Sequence, residues 1–428
     1  MNFKNEINRA IMSSFLGSCF GMGCINNQNA LRKRIKWGNH FNRERNQSLK
    51  NKESYIEKGS YGFTFKNYTD PKKVIKVYFN PSLEGVKKKY NTAKKVENIS
   101  NYPQDIEIVN DFRYQNLPIN VPEYVKNELK KHGSTLPAMR MPYLGIDLFE
   151  IIKDSEDKTE LDKIEKVKIE KVRNMIRTVN INTLLRECYK LMIQIDNMRR
   201  KGYCHADIRL DNVLIDPDTG VMTLIDFDLF ETFEVTYKKY YEQIVNVFKY
   251  PVPASWNVIS AYMPPEILCM YAIQYRRDAP YFYEKYLHQP LTAAHLYYMG
   301  TINKETRDEE RKEKIEEKFS ESFIRNMALL ETVNPNNQDK TIVEIMNRFD
   351  YYWFGMTMTI FFNRLYPINK NKKEKGAFYH ARKLLMSMCD FSIENRPYPD
   401  TVLPQMHDII NTLNVKGGRQ TRKKTVRR

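Results

Sequence analysis

The chain has 428 residues, 42% of them hydrophobic and 12% aromatic, which excludes a disordered or fibrous protein and gives enough apolar surface for a large core or two lobes. The formal net charge of +17 is concentrated at the ends: nine Lys and Arg against two Glu in residues 1–50, and seven Lys and Arg with no acid in residues 416–428. The remaining 365 residues therefore carry only +3, so the body of the protein is not a nucleic-acid-binding surface by composition, and any weak contact with nucleic acid or another polyanion is expected through the basic tails.

Residues 1–50 read as a basic, Asn-rich arm. Its apolar stretch, Ile11 to Cys24, is too short and too rich in Gly and Ser to span a bilayer. Short apolar runs from Glu53 to Phe79, broken by Gly-containing turns and by Tyr68-Thr69-Asp70-Pro71, predict strands. Pro81 to Ile99 predicts a charged helix, and residues 106–144 predict short extended pieces between prolines. After Leu148 long helices are expected. Asp154 to Val172 is almost wholly charged and reads as a solvated helical insert. Ile181 to Lys201 is amphipathic, with Leu184, Leu185, Tyr189, Leu191, Met192 and Ile195 on its apolar side. Strand signals return at 213–215 and 222–230, and the remainder reads as helix. The six cysteines lack a framework spacing, which predicts reduced, partly buried thiols and a cytoplasmic protein.

The most chemically specific text is His205-Ala206-Asp207-Ile208-Arg209-Leu210-Asp211-Asn212, followed by Leu224-Ile225-Asp226-Phe227-Asp228. Phosphoryl transfer needs a carboxylate beside the attacking hydroxyl and oxygen ligands that hold Mg²⁺ on the phosphates. Asp207 and Asn212, five residues apart, supply one of each on a single loop. Asp226, at the end of a short hairpin, supplies a second metal ligand, and Arg209 a positive charge for the moving phosphoryl group. As isolated residues, Asp and Asn in loops are ordinary turn and capping residues. The pair of segments at this spacing, with Val213-Leu214-Ile215 and Met222-Thr223-Leu224-Ile225 between them, is much harder to explain that way.

These segments resemble the catalytic loop and the Asp-Phe-Gly metal-binding element of the eukaryotic protein kinase family. The resemblance extends from about Tyr55 to Val402. Ile56-Glu57-Lys58-Gly59-Ser60-Tyr61-Gly62 is similar to the phosphate loop, with Gly59 and Gly62 as its glycines. Lys76 in Val74-Ile75-Lys76-Val77 stands where the family places the lysine of the α- and β-phosphates. Met141 to Leu148 resembles the hinge, which implies Met141 as gatekeeper, backbone near Tyr143 at the adenine, Asp147 at the ribose, and Ile56 and Leu214 sandwiching the base. Pro264-Pro265-Glu266 resembles the end of an activation segment, and Asp350 to Gly355 a helix that supports the catalytic loop. Arg396 stands at the place of Glu266's buried partner.

The resemblance implies an α+β bilobal fold: a β-rich N-lobe over 51–144, a helical C-lobe over 145–412 with inserts near 152–180 and 267–349, and a basic tail over 413–428. It implies ATP and Mg²⁺ (Mn²⁺ as a substitute), a protein Ser/Thr substrate, and Asp207, Arg209 and Lys76 as catalytic residues. Asn212 and Asp226 become metal ligands. Departures are Glu57 for the first loop glycine, Ala206 before Asp207, and Asp228 for the last Gly of Asp-Phe-Gly. Glu84 and Glu97 both flank the place of the helical carboxylate expected to meet Lys76. The departures leave open a non-catalytic scaffold, and the shared loop leaves open a small-molecule phosphotransferase of the aminoglycoside or choline type. The tail Gly417 to Lys424 resembles tails of giant DNA virus proteins, implying a viral protein in the host cytoplasm or the virion.

Overall fold

The computed structural model describes residues 55–59, 62–66, 72–78, 83–100, 106–109, 112–113, 123–131, 136–152, 173–174, 178–216, 218–239, 264–267, 269, 317, 321–330, 340–364 and 371–414. Both basic tails, the whole charged stretch 154–172 and most of 267–316 lie outside them, so the expected arm and tail are not described and the expected inserts are described only in part. The described chain is mixed α and β, mostly helical, with a small antiparallel sheet.

That sheet has the order β1-β2-β3-β5-β4, built from β1 (Tyr55–Gly59), β2 (Gly62–Lys66), β3 (Lys73–Tyr78), β4 (Glu107–Val109) and β5 (Ala138–Pro142). Alternation along β3 sorts its side chains onto two faces. Val77 joins Phe63, Phe65, Leu136 and Ala138 in a cluster on one side. Tyr78 joins Met139 and Val86 on the other, with Met141 packed against them. Lys76, two residues before Tyr78, shares the second face, opposite Met139 in the register.

Helix α1 (Leu83–Ser100) covers this second face and then continues onto the larger core. Val86 packs under the sheet, while Val96 and Ile99 join the helical core, so one helix belongs to both clusters. Helix α2 (Glu123–Lys130) lies where extended chain is expected from the prolines. Val125 and Leu129 are one turn apart and fully buried. That apolar pair overrides the extended reading.

A three-stranded sheet, order β6-β8-β9, joins β6 (Ile146–Asp147), β8 (Val213–Ile215) and β9 (Met222–Leu224). The hairpin between β8 and β9 closes on Asp216, whose Oδ1 accepts the Asp218 and Thr219 amides at 2.8 and 3.0 Å, with Gly220 at φ +77°. Gly145 is equally constrained. It sits at φ +112°, and a Cβ there would lie 2.2 Å from the Ile215 carbonyl oxygen. The expected strand 222–230 stops at Leu224, because Asp226 takes a left-handed conformation and Phe227–Leu229 form a 3-10 turn. Two-residue strands β7 (Tyr203–Cys204) and β10 (Glu231–Thr232) pair beyond it.

The helical part contains α3 (Leu148–Ile152), α4 (Ile181–Arg200), α5 (Lys340–Arg364), α6 (Lys372–Ser387) and α7 (Pro399–Asn414). The Asn180 side chain caps α4 through the Asn182 amide, and its apolar stripe is buried as its 3.6-residue period predicts, with Tyr189 half-buried. Asn371 and Glu374 form a reciprocal capping box at the start of α6. Gly355 lets α5 meet α6 closely, since a Cβ there would approach the Leu385 carbonyl oxygen to 2.8 Å. Cys188, Cys204, Cys269 and Cys389 are buried free thiols. No helix of the described residues is long and apolar enough to cross a membrane.

Candidate phosphoryl-transfer site

The loop from His205 to Asn212 is held from below by α5. Asp350 is buried, and its two carboxylate oxygens accept the backbone amides of His205 at 2.6 Å and Ala206 at 3.0 Å. Thr357, also buried on α5, donates its hydroxyl to the Ile208 carbonyl at 2.9 Å. These bonds pin a backbone that reverses at Ala206, whose φ of +62° is costly for any residue with a Cβ. Burial pushes the Asp350 carboxyl up against the opposing pull of His205 and the two amides.

His205 is fully buried and tied into both segments. Its Nε2 lies 3.0 Å from the Ile225 carbonyl oxygen, while its Nδ1 accepts the Asp207 amide at 3.3 Å. These partners assign the proton to Nε2 of a neutral ring, in keeping with a pKa that burial lowers. The ring packs 4.7 Å from that of Phe227. Across the same junction the Ile225 amide donates to the Asn212 carbonyl at 2.9 Å. The loop and the Asp226 turn are thus joined through backbone and side chain.

Asp207 sits at the centre. Asn212 Nδ2 donates to its carbonyl at 2.8 Å and to its Oδ2 at 3.0 Å, so the five-residue spacing becomes a closed loop. Arg209 Nε lies 3.2 Å from Asp207 Oδ1, and its Nη2 reaches Asp211 Oδ2 at 2.8 Å. With 22% of its side chain exposed, Asp207 remains reachable. Burial pushes its carboxyl up to about 6, against the lowering effect of Arg209, with the charges of Asp211 and Asp226 adding to the rise. The influence of the Asp226 charge on Asp207 accords with two carboxylates facing one region.

Asp226 is exposed at the start of the 3-10 turn, at φ +63°, and makes no hydrogen bond or ion pair among the described residues. Such a carboxylate, beside Asn212 with its amide NH₂ group engaged by Asp207, leaves oxygen donors of the type hard divalent cations take. The described residues contain no group of three or more His, Cys, Asp or Glu arranged for a metal. Asn212 and Asp226 would together offer two oxygen donors, which suits a cation whose remaining ligands are phosphate and water.

The other expected residues are distributed around this centre. Lys76 lies half-buried on β3, its Nζ 5.7 Å above the Tyr78 ring, and no carboxylate of the described residues forms an ion pair with it. Neither flanking carboxylate takes the expected place: Glu84 is exposed, and Glu97 pairs with Lys94 at 2.7 Å. Tyr78 links Lys76 to the acidic turn. Burial raises its hydroxyl pKa, and the charges of Asp228 and Asp226 raise it further.

Gly59 and Gly62 face each other at the end of the β1–β2 hairpin, and Ile56 lies on β1 beside an irregularity in the register between Tyr55 and Glu57. Met141 pairs with Val74 on β5, and Tyr143 donates its amide to the Lys72 carbonyl at 2.7 Å. Leu214 pairs with Asp147 in the three-stranded sheet. The Asp147 carboxylate, expected at a ribose, caps α3 by accepting the Glu150 amide at 2.8 Å.

Farther from the centre, Glu266 and Arg396 form a two-pronged ion pair with both N–O distances 2.7 Å, the side chains 0% and 1% exposed. The Arg396 guanidinium stacks 4.5 Å above Tyr352, and its Nε donates to the Asp390 carbonyl at 2.8 Å. Sequence reasoning did not single out Lys89 of α1, which forms an ion pair with Asp228. No protein-family model matches the chain.

Proposed function

We propose that the protein is an ATP- and Mg²⁺-dependent protein kinase that phosphorylates Ser/Thr hydroxyls. The observation that carries this reading is the closed Asp207–Asn212 loop, fixed on Asp350 and joined through His205 to the turn of Asp226. Asp207 takes the proton of the acceptor hydroxyl as its oxygen bonds to the γ-phosphorus, and the bond to the β,γ-bridging oxygen breaks to release ADP. Asn212 and Asp226 would hold the cation, Mg²⁺ or Mn²⁺, which supplies neutralisation of phosphate charge when bound. Arg209 holds Asp207 in place and keeps positive charge beside the transferred group. Lys76, with no acidic partner among the described residues, is left to meet phosphate oxygens under the Gly59–Gly62 hairpin.

The buried Glu266–Arg396 pair favours a protein acceptor over a small-molecule one, since the family resemblance associates it with the platform on which a protein substrate rests. The same absence of a carboxylate at Lys76 favours a second reading, a nucleotide-binding scaffold without turnover. Transfer of labelled phosphate from ATP to a generic basic protein separates them.

The pH profile sharpens the test. Asp207 acts as a base only when ionised, and its carboxyl is raised to about 6. The expected kcat/KM is therefore level above pH 7 and falls tenfold per pH unit well below about 6. A profile flat down to pH 4.5 would remove Asp207 from the proton transfer.

A further inference from the structure

The side chain that α1 turns toward the acidic turn is a lysine, where the resemblance leads one to expect a glutamate facing Lys76. Lys89 lies on the inner stripe of the helix, three residues after buried Val86 and four before buried Ala93. Its side chain is only 23% exposed, and a lysine in such a place is ordinarily held by a partner. The partner is Asp228, 33% exposed, on the 3-10 turn whose first flanking residue is Asp226. Lys89 Nζ also lies 5.6 Å from the Tyr78 ring centroid, and Lys76 Nζ lies 5.7 Å from the same centroid. Lys76 of β3 and Lys89 of α1 thus both lie near the Tyr78 ring, and Lys89 also reaches the carboxylate of the turn.

We infer that the Lys89–Asp228 ion pair fastens α1 to the Asp226 turn and so positions Asp226, replacing a link between α1 and Lys76. Two features of the turn require something of this kind. Asp226 is in a left-handed conformation that a residue with a Cβ does not hold without surrounding support. Asp226 and Asp228 bring two carboxylates within three residues, and a neighbouring ammonium relieves their repulsion. Phe227 packs on His205 of the loop and on Phe230 at the end of the turn itself, and the Lys89–Asp228 ion pair adds a tie from α1. Asp228 is thus engaged by α1, and Asp226 carries the ligand role. Lys89 is a positioning residue: it acts through Asp228 and need not touch nucleotide.

The functional consequence rests on the kinase reading, whereas the fastening does not, so two readouts on the full chain keep them apart. Hydrogen exchange of residues 226–230 is measured first, without nucleotide. Lys89→Met is expected to speed exchange there roughly two- to fivefold, the range a partly exposed ion pair sustains. Lys89→Glu, which places a third carboxylate by the turn, speeds it more. The reciprocal variant Lys89→Glu with Asp228→Lys returns it toward wild type. The Mg²⁺ concentration for half-maximal phosphate transfer follows the same order, while the unfolding midpoint stays near that of wild type.

Exchange unaffected by Lys89→Met, or a reciprocal variant no better than Lys89→Glu alone, overturns the proposal. Exchange that responds as expected in a wild-type protein that transfers no phosphate upholds the fastening and overturns the kinase reading alone. Exchange that responds while the Mg²⁺ requirement of an active enzyme does not move overturns the positioning of Asp226.

Discussion

Asp207→Asn is expected to slow phosphate transfer about 10²- to 10⁴-fold, the span a positioned general base contributes, while leaving ATP affinity nearly unchanged. The substitution keeps the shape of the side chain and an oxygen that can still accept the Asn212 NH₂ group. Stability distinguishes loss of chemistry from loss of fold. The Asp207 carboxyl is raised to about 6 in the folded protein, above the ordinary aspartate value near 4. A raised acid contributes stability that is fully present below the unfolded value and is lost as pH rises through the folded one. At pH 7 the wild-type carboxylate is therefore ionised at some cost to the fold, and the neutral Asn does not bear that cost. Asp207→Asn should unfold at the same or a higher denaturant concentration than wild type at pH 7, and the acid limb of the rate profile should disappear with the activity. A variant as active as wild type would remove Asp207 from the proposed role.

The largest stability effect is expected at the Glu266–Arg396 pair. Arg396→Met leaves the Glu266 carboxylate with no exposure and no counter-charge, and also removes the donor to the Asp390 carbonyl. Breaking a buried pair on one side costs about 3–5 kcal/mol, because an uncompensated charge stays in the interior. Replacing both partners, with Glu266→Leu and Arg396→Met together, should lose clearly less than Arg396→Met alone, since no stranded charge remains. Denaturant unfolding of the two variants beside wild type measures the difference. A single variant within about 1 kcal/mol of wild type would mean that the pair is open to water, contrary to its packing under Tyr352.

The sequence makes different parts of this structure legible for different physical reasons. Helix α4 is readable because its apolar side chains recur with the helical period and are buried against the core. Strand β3 is readable from its β-branched residues between turn signals. Asp207 and Asn212 are readable as a pair because only five residues separate them, and a short loop converts spacing into geometry.

What fails to show is set by contacts distant in the chain. Helix α2 is short and charged, and Val125 and Leu129, buried one turn apart, form no periodic pattern long enough to outweigh the neighbouring prolines. The left-handed Asp226 ends a strand that composition alone would extend to Phe230. Lys89 is one of five lysines in α1, and nothing local marks it. Only the packing of α1 on a turn 139 residues away distinguishes Lys89 from Lys87, Lys88, Lys94 and Lys95. The capping of α3 by the Asp147 carboxylate is also set by structure, since it depends on a helix beginning at the next residue.

The most direct test of the account is a crystal structure of the protein with Mg²⁺ and a non-hydrolysable ATP analogue. The expected result is a triphosphate between Lys76 Nζ and the Asp226 turn, with the cation ligated by Asn212 Oδ1 and an Asp226 carboxylate oxygen, and with the Asp207 carboxylate facing the γ-phosphate. A nucleotide bound away from Asp207, or a cation that leaves both Asn212 and Asp226 untouched, would contradict it.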